Sequence, residues 1–328
     1  MTRIIYILLL SSTLTSCRND ISINAAWKET AVVYALLDAN ESTHYIRVEK
    51  TFLNSGSDAL RVAGVSDSIY FDTLQVSIRL MNGSNAVQNI DFSADYNAPK
   101  QPGVFGTSNA VLYSSQAKLK QNGTYSLYIK NPRTGKEYTS TINMVHNSYV
   151  LTKTTLFSIS PGQTIVYYFY TGINAFEYET ALTLHYSEYD SVTNKLLGKH
   201  SFNWIARNNI IVNDPKTSKE VRFELDGGSF YNQIAANISK TPGVWRTMDT
   251  CDVTFHGAGE ELSNYLALNK PSLSIVQKKT DYSNITNGLG IFSSRNTNLE
   301  QQNLPISDST KYYIYSNPIT AGLGFRKP

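Results

Sequence analysis

Apolar and polar residues alternate over short segments in the first half of the chain, and this pattern predicts β-strands. Residues 30–37 (TAVVYALL) form a nearly continuous apolar run, which is typical of a strand inside a core. Residues 44–52 (HYIRVEKTF) alternate, and residues 38–42 between the two segments have the composition of a turn. Further strands are predicted at residues 74–81, 87–92, 125–130 and 137–142. Such closely spaced strands predict that residues 27–143 form a β-sandwich of the immunoglobulin or transthyretin type.

Residues 144–328 are predicted to form a second, larger and β-rich domain. Residues 164–170 (TIVYYFY) are apolar on both faces, so we expect a central strand there. Residues 180–189 and 196–204 predict the two strands of a hairpin. The expected fold class is therefore mainly β, with an N-terminal sandwich followed by a β-rich domain.

Two short helices are expected within this second domain. Phe230 and Ile234 lie four residues apart on one helical face, and Ser229 before them can act as an N-cap, which predicts a helix near residues 229–238. Residues 260–269 (EELSNYLALN) begin with two acidic residues and have a proline just beyond their end. These are start and stop signals of a helix, so a second helix is predicted there.

The first residues have the order of a secretory signal, with a basic residue, an apolar stretch, and then small or polar residues. The apolar stretch at residues 4–10 (IIYILLL) is too short to cross a bilayer, which takes about 20 residues. The sequence Leu-Thr-Ser-Cys that ends at Cys17 resembles the bacterial lipobox, in which the cysteine is lipidated and the chain is cut just before it. We therefore expect a lipoprotein signal peptide at residues 1–16, lipidation of Cys17, and a tether within residues 17–26.

Composition narrows the class of protein. The 328 residues carry 29 basic and 26 acidic side chains, and this balance gives no basic excess for binding a nucleic-acid backbone. An apolar content of 41% excludes a disordered chain. Two cysteines can form neither a disulfide scaffold nor a four-ligand zinc site. With Cys17 at the predicted lipidation site, Cys251 is the only free thiol and has no disulfide partner, so we expect it to be buried and unreactive.

A short motif occurs twice near the end of the chain. Residues 285–291 (ITNGLGI) and 319–325 (ITAGLGF) share the pattern I-T-x-G-L-G followed by an apolar residue. We interpret them as two similar turns that lead into strands, in which glycine supplies a positive φ angle or a close approach of two backbones.

Residues 31–52 (AVVYALLDANESTHYIRVEKTF) and 282–295 (YSNITNGLGIFSSR) resemble the beginning and the end of a family of outer-membrane lipoproteins of the Bacteroidota. The helix predicted at residues 260–269, with Tyr265 and Leu266, is also similar to a late helix of that family. The genes of the family often lie beside those of TonB-dependent receptors. The resemblance therefore implies a lipid-anchored outer-membrane protein, on the cell surface or the periplasmic face, with a role in binding or uptake.

Aromatic side chains are the main candidates for ligand contact, because a flat ring can pack against the apolar face of a sugar. Trp245 lies in the segment TPGVWR, a predicted loop with both proline and glycine, and it is the strongest candidate. Trp204, Tyr168 and Tyr170 are further candidates on predicted strands, where packing within the sheet is the alternative explanation.

The sequence contains no catalytic motif and no cofactor-binding fingerprint, so catalytic residues, metal ligands and a cofactor are not expected. His185 and His200 would lie opposite each other in the predicted hairpin. Two histidines without a third ligand are more consistent with half-exposed strand residues than with a metal site. The asparagine-rich segments 207–210 and 293–298 could hydrogen-bond a polyol, or they could be solvated turns.

These observations predict a non-enzymatic, lipid-anchored binding protein that assists the capture of a nutrient such as a glycan or a peptide. Its expected partners are the membrane and an outer-membrane receptor or glycan, and nucleic acid is not among them. The alternative is a structural adhesin or fimbrillin-like subunit, in which domains pair by donating strands. An open strand edge favours the structural subunit, whereas an aromatic-lined cleft favours the binding protein.

Overall fold

The computed structural model describes residues 29–51, 66–99, 109–151, 154–269 and 282–328. These residues form a mainly β fold, which confirms the fold class predicted from the sequence. The predicted signal peptide at 1–16, the lipidated Cys17 and the tether within 17–26 lie outside the described residues. Within the described part of the chain, no helix is both long and apolar enough to cross a membrane.

The first part of the fold contains seven strands and a single-turn helix. Their side chains alternate between the core and the outside, as in β6, where Tyr125, Leu127 and Ile129 are buried and their neighbours are half-buried. The elements are β1 (Ala31–Leu37), β2 (His44–Lys50), α1 (Ser66–Ile69), β3 (Gln75–Asn82), β4 (Asn85–Pro99), β5 (Asn109–Ser115), β6 (Thr124–Lys130) and β7 (Glu137–Asn143).

The second part of the fold contains longer strands and three helices of two or more turns. The elements are β8 (Tyr149–Val150), β9 (Thr164–Tyr170), β10 (Glu177–Asp190), β11 (Leu196–Ile211), β12 (Glu220–Asp226), α2 (Gly227–Asn237), β13 (Val244–Ala258), α3 (Glu260–Asn269), β14 (Leu289–Pro305) and α4 (Asp308–Ser316). A 3-10 helix at Ala321–Leu323 follows them.

The first seven strands build a two-layer sandwich. Strand β4 is shared by its two sheets. Residues 85–92 of β4 pair with β3, and that sheet continues through β6 to β7. Residues 93–99 of β4 pair with β5, and that sheet continues through β2 to β1. Both sheets contribute buried side chains to one core, among them Val33, Ile78 and Leu127. The predicted N-terminal sandwich is therefore present.

The second part of the fold is also layered. Strands β11, β10 and β13 form an antiparallel sheet with β14, and strands β12, β9 and β8 form a smaller sheet with β9 in the middle, as predicted. Phe169 and Phe223 of the small sheet meet Phe255 of the large sheet at ring-centroid distances of 4.7 and 5.7 Å. Helix α2 adds Phe230 to the same core.

Strand β14 is shared by the two parts. Residues 289–294 pair in parallel with β1, and residues 295–305 pair antiparallel with β13. The strand therefore joins both parts into one 11-stranded sheet. Its buried Phe292 belongs to the first core and its buried Leu304 belongs to the second. The predicted division into domains 27–143 and 144–328 stays a prediction.

The helices correct two details of the sequence analysis. Helix α2 begins at Gly227, two residues before Ser229, because the carboxylate of Asp226 caps it by accepting the backbone N–H of Ser229 at 2.7 Å. Helix α3 lies where the sequence predicts it. The sequence predicted two helices in the second part of the fold, and α4 is a third.

Helix α4 was not predicted because it has a start signal but little apolar periodicity. Its N-cap is Ser307, whose hydroxyl accepts the backbone N–H of Thr310 at 3.1 Å. Only Thr310 and Ile314 of the helix are buried. Its tyrosines are largely exposed, and tyrosine and isoleucine also favour strands, so the local pattern does not indicate a helix.

Gly290 and Gly324 occupy the same place in the two I-T-x-G-L-G segments, and both have positive φ angles, +102° and +84°. Gly290 is the second residue of β14 and lies opposite Val33 of β1. Gly324 precedes Phe325, which forms a single bridge with Arg246. The predicted positive φ angle of glycine in the motif is therefore confirmed, but only the first of the two segments leads into a strand among the described residues.

We predict that Gly290→Ala lowers the free energy of unfolding by about 3 kcal/mol or more. A Cβ at this position would lie 2.0 Å from the carbonyl oxygen of Val33, and the positive φ angle would be strained. Gly322→Ala is the matched control, because a Cβ there would have no atom within 4 Å. Its effect should stay below about 0.5 kcal/mol. Urea unfolding measures both variants, and equal stabilities would contradict the close approach of β14 to β1.

Candidate functional site

An open cleft of about 710 Å³ lies where the two parts of the fold meet. The large sheet forms its floor and helix α3 forms one wall. Leu36 of β1 lines it from the first part of the fold, and Arg295 of β14 lines it at the junction. The cleft therefore depends on the strand that both parts share.

A row of polar side chains crosses the floor because the strands are in register. Glu179 of β10 lies opposite His256 of β13, and His256 lies opposite Thr297 of β14. A register shift between β10 and β11 leaves Asn208 and Asn209 opposite Glu179. Asn209 takes a φ angle of +55°, a left-handed conformation that asparagine tolerates better than most residues. Four strands thus supply hydrogen-bonding groups to one line.

Glu177 and Arg295 form the neighbouring row, on either side of Ala258. The hydroxyl of Ser263 on α3 donates a hydrogen bond to Glu177 Oε2 at 3.2 Å, which ties the wall to the floor. The guanidinium of Arg295 pairs with Glu41. Glu177 and Arg295 therefore each have a polar partner within the fold.

Helix α3 is held as a wall by hydrogen bonds to β14. The backbone N–H of Gly259 donates to the carbonyl oxygen of Ser294 at 2.9 Å, and the N–H of Leu262 donates to Ser293 Oγ at 3.0 Å. Leu262 and Leu266 then line the cleft with aliphatic surface. Leu266 remains 42% exposed.

His256 and Glu179 are the two ionisable groups of the polar row that a ligand in the cleft can contact. Burial lowers the pKa of His256 below its ordinary value, although the negative charge of Glu179 opposes this shift. The imidazole is therefore neutral at neutral pH, with one donor and one acceptor nitrogen. Its Nδ1 lies 3.4 Å from Thr297 Oγ1. Among the described residues, the Glu179 carboxylate has no ion-pair partner.

The buried carboxylate of Asp38 holds the point at which β14 changes partner. Its Oδ2 accepts the backbone N–H of Thr297 at 2.7 Å, and its Oδ1 accepts the N–H of Asn40 at 3.0 Å. Arg295 Nε lies 3.8 Å from the same Oδ2. Asp38 is fully buried, so these contacts fix β14 at Arg295, which lines the cleft, and at Thr297, which lies opposite His256.

All four contact residues predicted from the sequence lie outside the lining of the cleft. Trp204 is only 7% exposed and packs in the second core, with its ring centroid 6.2 Å from that of Phe230. Tyr168 is 41% exposed on the outer face of the small sheet. Tyr170 stacks on the exposed Tyr149 at a centroid distance of 5.1 Å on that same sheet. The packing explanation therefore fits Trp204, and the two tyrosines remain candidates.

Trp245 lies on β13, not in the loop that the sequence predicts. The turn ends at Gly243, which has a φ angle of +74°, and the strand begins at the next residue. One face of the Trp245 ring stacks on Tyr189 at 4.2 Å, and the guanidinium of Arg326 also lies over the ring at 4.0 Å. Its Nε1 donates to Asn194 Oδ1 at 3.1 Å. The Trp245 side chain therefore already contacts Tyr189, Arg326 and Asn194 of the protein itself.

The two hairpin histidines do not lie opposite each other. His185 pairs with Ser201, and His200 pairs with Tyr186. Leu197 is an extra residue at a register shift near the turn, and a shift of one residue sends the two imidazoles to opposite faces of the sheet.

The candidate metal ligands and the free thiol of the described part of the chain were also located. No group of three or more His, Cys, Asp or Glu side chains there is placed to hold a metal ion. Cys251 is fully buried, and burial raises the pKa of its thiol well above the ordinary value. The expectation that Cys251 is buried is confirmed, and its low reactivity stays a prediction.

Glu179 and His256 were missed by the sequence analysis, because their approach depends on the pairing of β10 with β13. Asn208 and Asn209 had a signal, since the segment 207–210 was a candidate for hydrogen-bonding a polyol. The other asparagine-rich segment, 293–298, lies inside β14 and is not a solvated turn.

Comparison with known proteins adds little. No protein-family model matches the chain, and no curated protein sequence matches it. Among solved structures, the chain is similar to the C-terminal globular domain of an oligosaccharyltransferase from Pyrococcus abyssi, with 8% sequence identity and a TM-score of 0.25. The match covers 71% of this chain and 49% of that one, so the chain spans about half the length of that structure. A similarity this weak transfers neither fold nor function.

We predict that His256→Gln makes the fold less sensitive to acid. The lowered pKa of His256 means that the unfolded chain takes up this proton at a higher pH than the folded chain does. The wild type therefore loses stability as the pH falls below the ordinary value of 6.5, and a glutamine removes this contribution.

Urea unfolding at about pH 7.5 and about pH 5.5 measures the effect. His200→Gln, which replaces a half-exposed histidine outside the cleft, is the control. His146 also has a pKa lowered by burial, but it is present in both variants and cancels in their comparison. An acid sensitivity of His256→Gln equal to that of His200→Gln would contradict the burial of a neutral imidazole in the floor.

Proposed function

We propose that this chain is a lipid-anchored, non-enzymatic binding protein of a bacterial outer membrane, which assists the capture of a nutrient such as a glycan or a peptide. The observation that carries the proposal is the open cleft of about 710 Å³ between α3 and the large sheet. Pockets that hold small molecules have volumes of about 300–1,000 Å³, with apolar walls and a few well-placed polar groups.

The lining of the cleft supports a ligand with one polar and one apolar side. Glu179 accepts hydrogen bonds, and both His256 and Asn208 can donate and accept them. Leu262 and Leu266 offer aliphatic surface on the wall above this floor. A sugar ring combines hydroxyl groups with an apolar face, and a peptide combines amide groups with apolar side chains. Both classes fit this division.

The N-terminal segment supports the anchor. The lipobox that ends at Cys17 predicts lipidation of this residue and attachment to the membrane. The resemblance to Bacteroidota outer-membrane lipoproteins supports an outer-membrane receptor as a partner.

Tyr168 and Tyr170 support a second place of contact with a glycan. Tyr168 is exposed, and Tyr170 forms a stack with Tyr149 on the same face of the small sheet. Exposed tyrosine rings can pack against the apolar face of a pyranose while their hydroxyl groups bind water or sugar.

A structural adhesin or fimbrillin-like subunit is the second candidate function. The observation that favours it is the 16-residue strand β11 at one end of the large sheet, where a strand from a neighbouring subunit could add. Concentration-dependent assembly of the full chain, without any added ligand, is the result that would support this role.

We predict that Leu266→Arg abolishes ligand binding in the cleft, because a long charged side chain on the wall would occupy the opening. Leu268→Arg is the matched control, since Leu268 lies on the same helix with the same exposure of 42% but outside the lining. The measurement is the thermal shift of each protein against a panel of oligosaccharides and oligopeptides.

A ligand at about 100 times its dissociation constant stabilises its protein by about 2.7 kcal/mol, which raises the melting temperature measurably. We expect one ligand class to shift the wild type and Leu268→Arg but not Leu266→Arg. A shift that Leu266→Arg retains in full, or a panel without any shift, would contradict the proposal.

A further inference from the structure

Strand β11 forms one edge of the large sheet, and no strand in the described part of the chain pairs with its outer side. Residues 198–205 of β11 pair with residues 181–188 of β10 without a register shift, so this stretch of the edge is regular. In an antiparallel edge strand, the backbone N–H and C=O groups of every second residue point away from the neighbouring strand. The edge therefore offers a row of donors and acceptors to an added strand.

The charges along this edge have one sign. Strand β11 carries Lys199 and Arg207, and it contains no aspartate or glutamate. Both side chains are exposed, and neither has an ion-pair partner among the described residues. A strand that adds here would gain from acidic side chains.

A depression of about 490 Å³ lies beside the same edge, lined in part by Lys199, Ser201 and Asp249. The carboxylate of Asp249 accepts a hydrogen bond from the hydroxyl of Ser187 at 2.5 Å, so it is already engaged within the fold. Lys199 is left as the cation that faces this space. A side chain of an added strand can enter the depression next to it.

We propose that the edge of β11 binds an extended acidic segment of a partner protein as an added strand. In this mode of recognition, backbone hydrogen bonds supply affinity and pockets for alternate side chains supply specificity. Outward-facing acidic side chains of the segment would lie beside Lys199 and the depression, and the intervening side chains would face Phe202, which is half-buried against the second core. The proposal is independent of what the cleft binds.

A second copy of this chain fits the edge less well. Antiparallel pairing of two β11 strands about Asn203 would set Lys199 of each copy opposite Arg207 of the other. Since β11 has no acidic residue, no register of β11 with itself brings opposite charges together. The charges thus select a partner of opposite sign.

The test uses the full chain and two blocked heptapeptides, one that alternates valine with glutamate and one that alternates valine with lysine. Binding is measured by fluorescence anisotropy, and hydrogen exchange of residues 198–205 reports where the peptide lies. We expect the glutamate peptide to slow the exchange of this segment and to bind at least about tenfold more tightly than the lysine peptide.

Charge reversal supplies the matched variants. Lys199→Glu should weaken binding of the glutamate peptide by about tenfold and reverse the preference between the two peptides. Lys118→Glu changes the net charge equally at an exposed position in the first part of the fold and should leave the preference intact. Arg207→Glu is a second edge variant, should Lys199→Glu fail to fold.

Three results would overturn the proposal. The first is unchanged exchange at residues 198–205 with the glutamate peptide. The second is a preference for the glutamate peptide over the lysine peptide that is the same in Lys199→Glu as in Lys118→Glu. The third is protection of residues 198–205 that rises with protein concentration in the absence of peptide, which would assign the edge to a second copy of the chain.

Discussion

The fold depends on the point at which β14 leaves β1 and joins β13. At this point the fully buried carboxylate of Asp38 accepts the backbone N–H of Thr297, while Arg295 lies beside it. A buried charge is costly unless hydrogen bonds and an opposite charge compensate it, so this arrangement tolerates few other residues. Because β14 contributes Phe292 to one core and Leu304 to the other, the two parts of the fold are connected through this strand.

The cleft is a consequence of that connection. Glu179, His256 and Thr297 form a row because β10, β13 and β14 are in register. Helix α3 lies beside this row because the backbone N–H groups of Gly259 and Leu262 donate hydrogen bonds to β14. A ligand in the cleft would touch groups from both parts of the fold. The site is therefore positioned on rigid elements, which suits binding with little rearrangement.

The sequence predicted the features that short-range patterns control. Alternation predicted strands such as β6, and the apolar stretch at residues 30–37 predicted β1, although only every second residue of β1 is buried and Tyr34 is exposed. It could not predict features that depend on distant pairing or on a single inserted residue. Val32 of β1 lies beside Leu289 of β14, far apart in the chain, and the extra residue Leu197 places His185 and His200 on opposite faces. The polar row of the cleft follows from such pairings, so the sequence indicated helix α3 and the asparagines of the cleft but not the approach of Glu179 to His256.

The most direct test of this account is native-state hydrogen exchange of the full chain at increasing urea concentration. It follows the amides of β6 in the first part of the fold and those of β13 in the second in one experiment. If β14 joins the two cores into one cooperative structure, both sets of amides lose protection at the same urea concentration. Separate transitions for β6 and β13 would contradict the claim that the shared strand holds the two parts, and the cleft between them, together.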